Sequence, residues 1–436
     1  MRIIHTSDWH LGQYFYGKSR ANEHQQFLHW LLEQVKEHSI EAIIVAGDIF
    51  DTATPPSYAR QIYYNFISEL QTFDCQLVIL AGNHDSVSML QESKDLLAAL
   101  STKVIANVTD ISNENNLCEQ VFTIKNKQGV AKAVLCAIPF IRPRDVIKSE
   151  AGQSALDKSK QLQQAIVSHY QHLYEYARSL VSEHERLNNG EKLPIIATGH
   201  LTALGVTSSD SVRDIYIGTL EALPSNAFPP ADYIALGHIH RSQKVGKTNH
   251  IRYCGSPIAL SFDEAKQNKK VLLVEFSRGG LSSVTDLPVP CFQPLAMLKT
   301  SIEDLNHDID ALIKAQTISL NNNQKIWLDI ELANTGLLNN LQGKISELIK
   351  DFPVEVLLVR RQKQVRKNLL AANKQDTNTL NELSLEEVFE SRLQQEEWLN
   401  TNIENEPLKE DDLKRKKALQ TLFNETVSQV LVVGKS

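Results

Sequence analysis

Ala42-Ile43-Ile44-Val45-Ala46-Gly47-Asp48-Ile49-Phe50-Asp51 is an unbroken apolar, β-branched run that opens onto a glycine and two carboxylates. Its first five residues have the length and composition of a strand buried on both faces, the habit of parallel sheets. Outward in both directions the same order recurs. Arg2–Thr6 is a short β-prone run leading to Asp8-Trp9-His10, and Gln76–Ala81 is a buried strand leading to Gly82-Asn83-His84-Asp85. Between them, Ala21–His38 sets Phe27, Leu28, Leu31, Leu32 and Val35 on one helical stripe. Pro55-Pro56-Ser57 starts a second helix that runs to Leu70. This βαβαβ rhythm predicts a parallel sheet covered by helices.

Further along, Val121–Lys125 and Ala131–Ile138 read as strands flanking a turn at Gly129, and a polar helix spans residues 154–185. Leu193–Thr198 and Tyr233–Leu236 are strands that run straight into Gly199-His200 and Gly237-His238-Ile239-His240. Ile251–Cys254 and Val271–Phe276 are expected to close a second sheet, and Pro288-Val289-Pro290 reads as a linker. The large domain is therefore placed at residues 1–288. Alternating strands and helices from Leu295 to Arg360 then predict a small α/β domain, residues 291–370. Ser384-Leu385-Glu386-Glu387 matches a capping box. It opens the first of two amphipathic helices in a tail at residues 380–436, whose apolar stripes are expected to dock on a partner.

The chain has 436 residues, 42% of them hydrophobic and 22% charged, which is ordinary globular composition and excludes disordered and collagen-like classes. No stretch approaches the ~18 apolar residues of a spanning helix, and the opening residues lack the apolar core of a signal peptide. Cys75, Cys118, Cys136, Cys254 and Cys291 are scattered, without a CxxC pair, so a reduced, cytoplasmic setting without a zinc finger is expected. The net charge of −7 gives no general attraction to nucleic acid, and leaves that question to local patches.

Chemistry concentrates at the strand ends. Loops at the carboxyl ends of strands in open α/β sheets converge on one crevice, so the five clusters can meet. Their imidazole, carboxylate and carboxamide groups, without thiolate, suit Mn²⁺, Fe²⁺ or Zn²⁺. Asp8, His10, Asp48, Asn83, His200, His238 and His240 are too many ligands for one ion and fit two ions sharing a carboxylate, the arrangement that activates water and clamps a phosphoryl centre. His84 is then left to protonate a leaving group or stabilise charge, with Asp85 beside it to orient it. His24, His29, His38, His169, His172, His184, His250 and His307 lack the strand-end setting and read as packed or solvated residues.

In this order, D-x-H, G-D-x-x-D, G-N-H-D, G-H and G-H-x-H resemble the calcineurin-like metallophosphoesterases. The longer runs His5–Gly12, Gly47–Thr52, Pro55–Arg60, Gly82–Ser86, Ile138–Asp145, Arg213–Gly218, Gly237–Arg241 and Tyr253–Pro257 are similar to nuclease subunits of the double-strand-break repair nuclease family, as is Ser384–Phe389. The resemblance implies a four-layer αββα sandwich with a small α/β capping domain and C-terminal helices. It implies one ion on Asp8, His10, Asp48 and His240, a second on Asp48, Asn83, His200 and His238, manganese as the metal, and His84 as the catalytic histidine. It further implies cleavage of DNA in recombination, replication and repair, beside an SMC-like coiled-coil ATPase and as a homodimer within a heterotetramer. Without a phosphate-cradling G-x-x-x-x-G-K-[ST] loop here, ATP hydrolysis falls to the partner. Lys18, Arg20, Arg360, Arg361 and Lys363 are candidate DNA contacts, with Arg142, Arg144 and Arg241 as weaker ones. Two rival readings use the same residues: a small-molecule phosphodiesterase or phosphatase, and a DNA-end tether that is mainly structural.

Overall fold

A computed structural model describes residues 1–126, 128–147, 154–212, 222–315, 324–333 and 341–361, together with Phe389, Ala418, Leu419, Leu422 and Phe423. Two units are distinguished, Met1–Gln362 and Lys363–Ser436.

The first unit is built on two six-stranded sheets. One runs in the order Gly280–Pro288, Lys270–Ser277, Arg2–Thr6, Ala42–Ala46, Gln76–Leu80, Thr102–Ile105. The other runs Gln243–Lys244, Ile251–Tyr253, Tyr233–Gly237, Ile195–His200, Ala131–Cys136, Val121–Lys125. Strands at the centre of each are parallel; antiparallel strands close both margins of the second sheet and one margin of the first, whose other edge, Thr102–Ile105, is parallel to its neighbour.

Side chains alternate between the faces of each strand, and that alternation makes the layers. Ile43, Val45, Leu77 and Ile79 meet the helices Ala21–His38 and Ser57–Leu70 on one side. Ala42, Ile44, Val78 and Leu80 point the other way, against Leu135, Ile196, Tyr233 and Ala235 of the second sheet. The second sheet's outer face, with Val134, Ala197, Ile234 and Leu236, is covered by the helix Ala155–Leu187 through Leu162, Ile166, Tyr170, Leu173 and Ala177. Helix, sheet, sheet, helix is the order of layers.

One strand lies elsewhere than its sequence suggested. Val271–Phe276 belongs to the first sheet, where Val274 sits opposite Ile3 in an antiparallel pair, while Ile251–Tyr253 does lie in the second. A strand buried on both faces carries the same apolar signature in either sheet, so the local pattern does not choose its partner.

Leu295–Thr300, Ile326–Leu332 and Val354–Arg361 form a separate three-stranded parallel sheet. With the helices Leu305–Ala315 and Leu341–Leu348 it encloses Leu305, Ile309, Leu328, Ile330 and Ile345. A small hairpin, Tyr14–Phe15 with Lys18–Ser19, reaches this sheet: Phe15 stacks on Trp327 at 5.9 Å between ring centres. In the second unit the rings of Phe389 and Phe423 stack 4.0 Å apart. The capping box at 384–387, the remainder of the expected tail helices, the 213–218 motif and Lys363 lie outside the described residues. No helix among the described residues is long and apolar enough to cross a membrane.

Candidate metal centre

Parallel neighbours end on the same edge, so Asp8, Asp48, Asn83, His200 and His238 emerge side by side from the two sheets. The turns that deliver them are strained. Asp8, His10 and Asp48 have φ of 54°, 47° and 52°, and His238 has 92°, a region L-residues rarely occupy. Backbone bonds hold them there: Asp8 N donates to the Gly47 carbonyl at 3.0 Å, and His10 N to the Asp48 carbonyl at 3.1 Å. Glycine permits the closest approach. A Cβ on Gly237 would penetrate the Ala46 carbonyl, backbone of the opposite sheet that no rotamer change can move. Gly237→Ala is therefore expected to cost about 2–3 kcal/mol, read as a lower urea midpoint, and an unchanged midpoint would refute this close contact.

The polar atoms converge in an unusual way. A carbonyl only accepts, so His200 Nδ1 must donate to the Ala46 carbonyl, 2.9 Å away. In the neutral ring, Nε2 then presents a lone pair to Asn83 Oδ1 at 2.9 Å and Asp48 Oδ2 at 3.2 Å, two further acceptors. His238 Nδ1 faces the same Asn83 oxygen at 3.2 Å. On the other side, His10 Nδ1 meets Asp51 Oδ1 at 3.2 Å, and its buried Nε2 has no hydrogen-bond partner among the described residues. Asp8, His10 and His240, and likewise Asp48, His200 and His238, bring their ligand atoms within 4.8 Å of one another. Acceptors aimed at a common space with an orphaned imidazole nitrogen beside them fit divalent cations.

The electrostatics agree. Burial alone would discharge His10, but the Asp51 hydrogen bond and the charges of Asp48, Asp51 and Asp8 raise it to about 9. His200 is likewise opposed by burial and raised to about 9, chiefly by Asp48. Asp48 is held well below the usual carboxylate range: burial resists ionisation, and His200, His84 and His10 outweigh it. The carboxylates thus favour the charged forms of His10 and His200, while burial and the neighbouring His200 charge push His238 the other way.

His84 lies at the rim. Its ring centre is 4.7 Å from that of His10, its Nδ1 donates to the Asp51 carbonyl at 2.8 Å, and its amide donates to Asp48 Oδ1 at 2.9 Å. Asp85 corrects the expectation of an orienting carboxylate beside it. Both Asp85 oxygens are spent on backbone amides: Gly82 at 2.8 Å, Phe50 at 3.0 Å and Ile49 at 3.1 Å. It ties the Gly47–Asp51 and Gly82–Asp85 loops together, and the Asp51 carbonyl orients His84 instead.

The candidate DNA cations are mostly engaged within the chain. Arg20 is corrected outright: it is 1% exposed, its guanidinium clamped by Glu23 and bonded to Gln13 and the Ala259 carbonyl. Lys18 pairs with Glu355 at 2.5 Å, and Arg360 grips Asp329 with two nitrogens. The Arg361 side chain and Lys363 lie outside the described residues. Arg142 sits nearer the centre, donating to the Asp85 carbonyl at 3.0 Å. Sequence reasoning assigned no role to Asp51, although G-D-x-x-D contains it, nor to Ser211 and Glu264, which no local signal marks.

Two stacked sheets with a histidine–carboxylate centre on their common edge define a calcineurin-like phosphoesterase, and residues 1–242 match the family described as Calcineurin-like phosphoesterase. Residues 291–397 match a second family, described as Type 5 capsule protein repressor C-terminal domain. The SbcD component of the nuclease SbcCD of Escherichia coli K12 is 50% identical over 397 residues, covering 91% of this chain and 94% of that protein. Its namesake in Rhodobacter capsulatus is 31% identical over 69% of this chain and 71% of its own length, and that of Bacillus subtilis 29% over 76% and 79%. The chain belongs to the SbcD family.

Proposed function

We propose that the chain is the nuclease subunit of a two-component DNA-processing machine. In this reading it hydrolyses DNA phosphodiesters with two manganese ions, degrading duplex from its ends, cutting single strands and opening hairpins during recombination, replication and repair. The observation that carries the chemistry is the convergence of His200 Nε2, Asn83 Oδ1 and Asp48 Oδ2 beside the orphaned His10 Nε2. Asp8, His10, Asp48 and His240 would hold one ion, and Asp48, Asn83, His200 and His238 the other. Two such ions supply a nucleophile from water at neutral pH and neutralise charge on the phosphoryl oxygens.

This chain's own residues do the rest. His200 is kept in one tautomer by the Ala46 carbonyl, and the Asp48 carboxylate is steered by the His84 amide. With His84 Nδ1 committed to Asp51, proton transfer to the departing oxygen falls to Nε2. The relatives are named as one component of SbcCD, which supports a companion component, and we take this to be an SMC-like ATPase of the SbcC type. A homodimer within a cytoplasmic heterotetramer completes the reading.

The test is digestion of an end-labelled linear duplex with Mn²⁺, with and without the partner, comparing the chain with His84→Gln. The expected result is cleavage by the first and a rate lower by about a hundredfold or more in the second. Equal cleavage by both would remove His84 from the chemistry. Failure on DNA with hydrolysis of a small phosphodiester would favour the small-molecule reading. DNA binding without hydrolysis of either substrate would favour a tether.

A further inference from the structure

Behind His240 lies a buried polar chain. His240 Nδ1 is 2.6 Å from Ser211 Oγ, and Ser211 in turn donates to Glu264 Oε1. Glu264 is 0% exposed and accepts from Ser209 at 2.7 Å, Ser261 at 3.2 Å, the Leu260 amide at 3.0 Å and Lys269 Nζ at 2.6 Å. Lys269 Nζ also donates to the His240 carbonyl at 3.0 Å and to Ser256 Oγ at 2.9 Å. Both ends of His240 are therefore held, its ring through Ser211 and its backbone through Lys269.

We propose that Ser211, Glu264 and Lys269 form a positioning hub that fixes the tautomer and angle of His240 as a divalent-cation ligand. Direction is set from the buried end. An ionised carboxylate can only accept, so Ser211 donates its hydroxyl hydrogen to Glu264 and must accept from His240 Nδ1–H. That leaves Nε2 as the ring nitrogen with the lone pair. Outer partners of this kind tune a ligand's basicity and orientation, and losing one typically costs 10–100-fold in metal affinity. The hub gathers loop residues 209–211 and 256–261 with strand-end His240, so one side of the centre is set by residues remote in sequence. Asp51 does for His10 what this chain does for His240.

The inference rests on the two-ion reading above, and its test separates the two. The full chain is titrated calorimetrically with Mn²⁺, and the loaded protein is examined by electron paramagnetic resonance for a coupled manganese pair. Ser211→Ala removes the nearer partner of His240 Nδ1, leaving Glu264 Oε1 at 3.5 Å as the remaining one, and keeps the Glu264–Lys269 pair intact, so folding is spared where Glu264→Gln would strand a buried lysine. The expected result is two ions on the unsubstituted chain, one of them weakened about tenfold in Ser211→Ala with the pair's spectrum altered, and recovery in Ser211→Thr, which keeps the hydroxyl. Two ions bound with undiminished affinity by Ser211→Ala would overturn the hub alone. No manganese bound by the unsubstituted chain would overturn the hub and the two-ion reading together.

Discussion

Asp48→Asn is expected to lower nuclease activity by about 10⁴-fold, beyond the effect of any other single change at the centre. Asp48 is grouped with His200 and His238 on one side and lies against His10 on the other, so in the proposed assignment it is the carboxylate shared by the two ions. Its Oδ2 lies 3.2 Å from His200 Nε2 and 3.6 Å from His10 Nε2, while Oδ1 is anchored by the His84 amide. Asparagine keeps the shape and loses the charge. Each ion stabilises several kcal/mol of charge in a phosphoryl transition state, so weakening both forfeits about 6 kcal/mol, or about four decades in rate. The accompanying signature is in binding: both manganese affinities fall in Asp48→Asn, whereas His84→Gln keeps both. Two tight ions retained by Asp48→Asn would remove Asp48 from the bridging position and undo the assignment.

The candidate ligands were legible because each cluster stands where an apolar run stops. Ala42–Ala46 cannot be mistaken for a surface segment, and the polar residues after Gly47 must then lie at a sheet edge. Burial pattern and punctuation, both local, carry that information. What was not legible depends on partners set by tertiary structure. Arg20 has the charge of a phosphate contact, and only the fold shows Glu23 and the Ala259 carbonyl closing over it. Asp85 sits next to His84 in the chain, yet its oxygens face the amides of Ile49 and Phe50, 36 and 35 residues away. Ser211 and Glu264 belong to no motif, and they meet across 53 residues. Sheet membership of Val271–Phe276 fails for the same reason: a doubly buried strand advertises burial and not its neighbour.

The buried histidines make stability itself a readout of the centre, and the metal-free chain is expected to be most stable close to pH 6.5. His10 and His200 are raised from 6.5 to about 9 in the folded chain. Their contribution is complete below 6.5 and is lost as pH rises to and through 9, because over that window the unfolded chain has shed protons that the folded chain still binds. Other histidines act in the opposite sense. Burial lowers His5 and His24 to about 3 and His169 to about 4, so the fold holds them neutral and loses stability as pH falls below 6.5. Asp85 offsets one proton of this acid limb, since burial and the Asp48 charge raise it from 3.8 to about 6. Each net proton changes stability by about 1.4 kcal/mol per pH unit, so both limbs are steep enough to measure. Manganese discriminates between them. Ions on His10 and His200 replace the protons that the alkaline limb loses, and the fall above pH 6.5 is expected to vanish with metal while the acid fall remains. Urea unfolding at about pH 5, 6.5 and 8.5, with chelator or with Mn²⁺, gives the comparison. Greater stability with chelator at the highest pH than at the middle one would mean that His10 and His200 are neutral in the metal-free fold. The pocket would then not be starved of positive charge, and the electrostatic case for a pair of cations would fail with it.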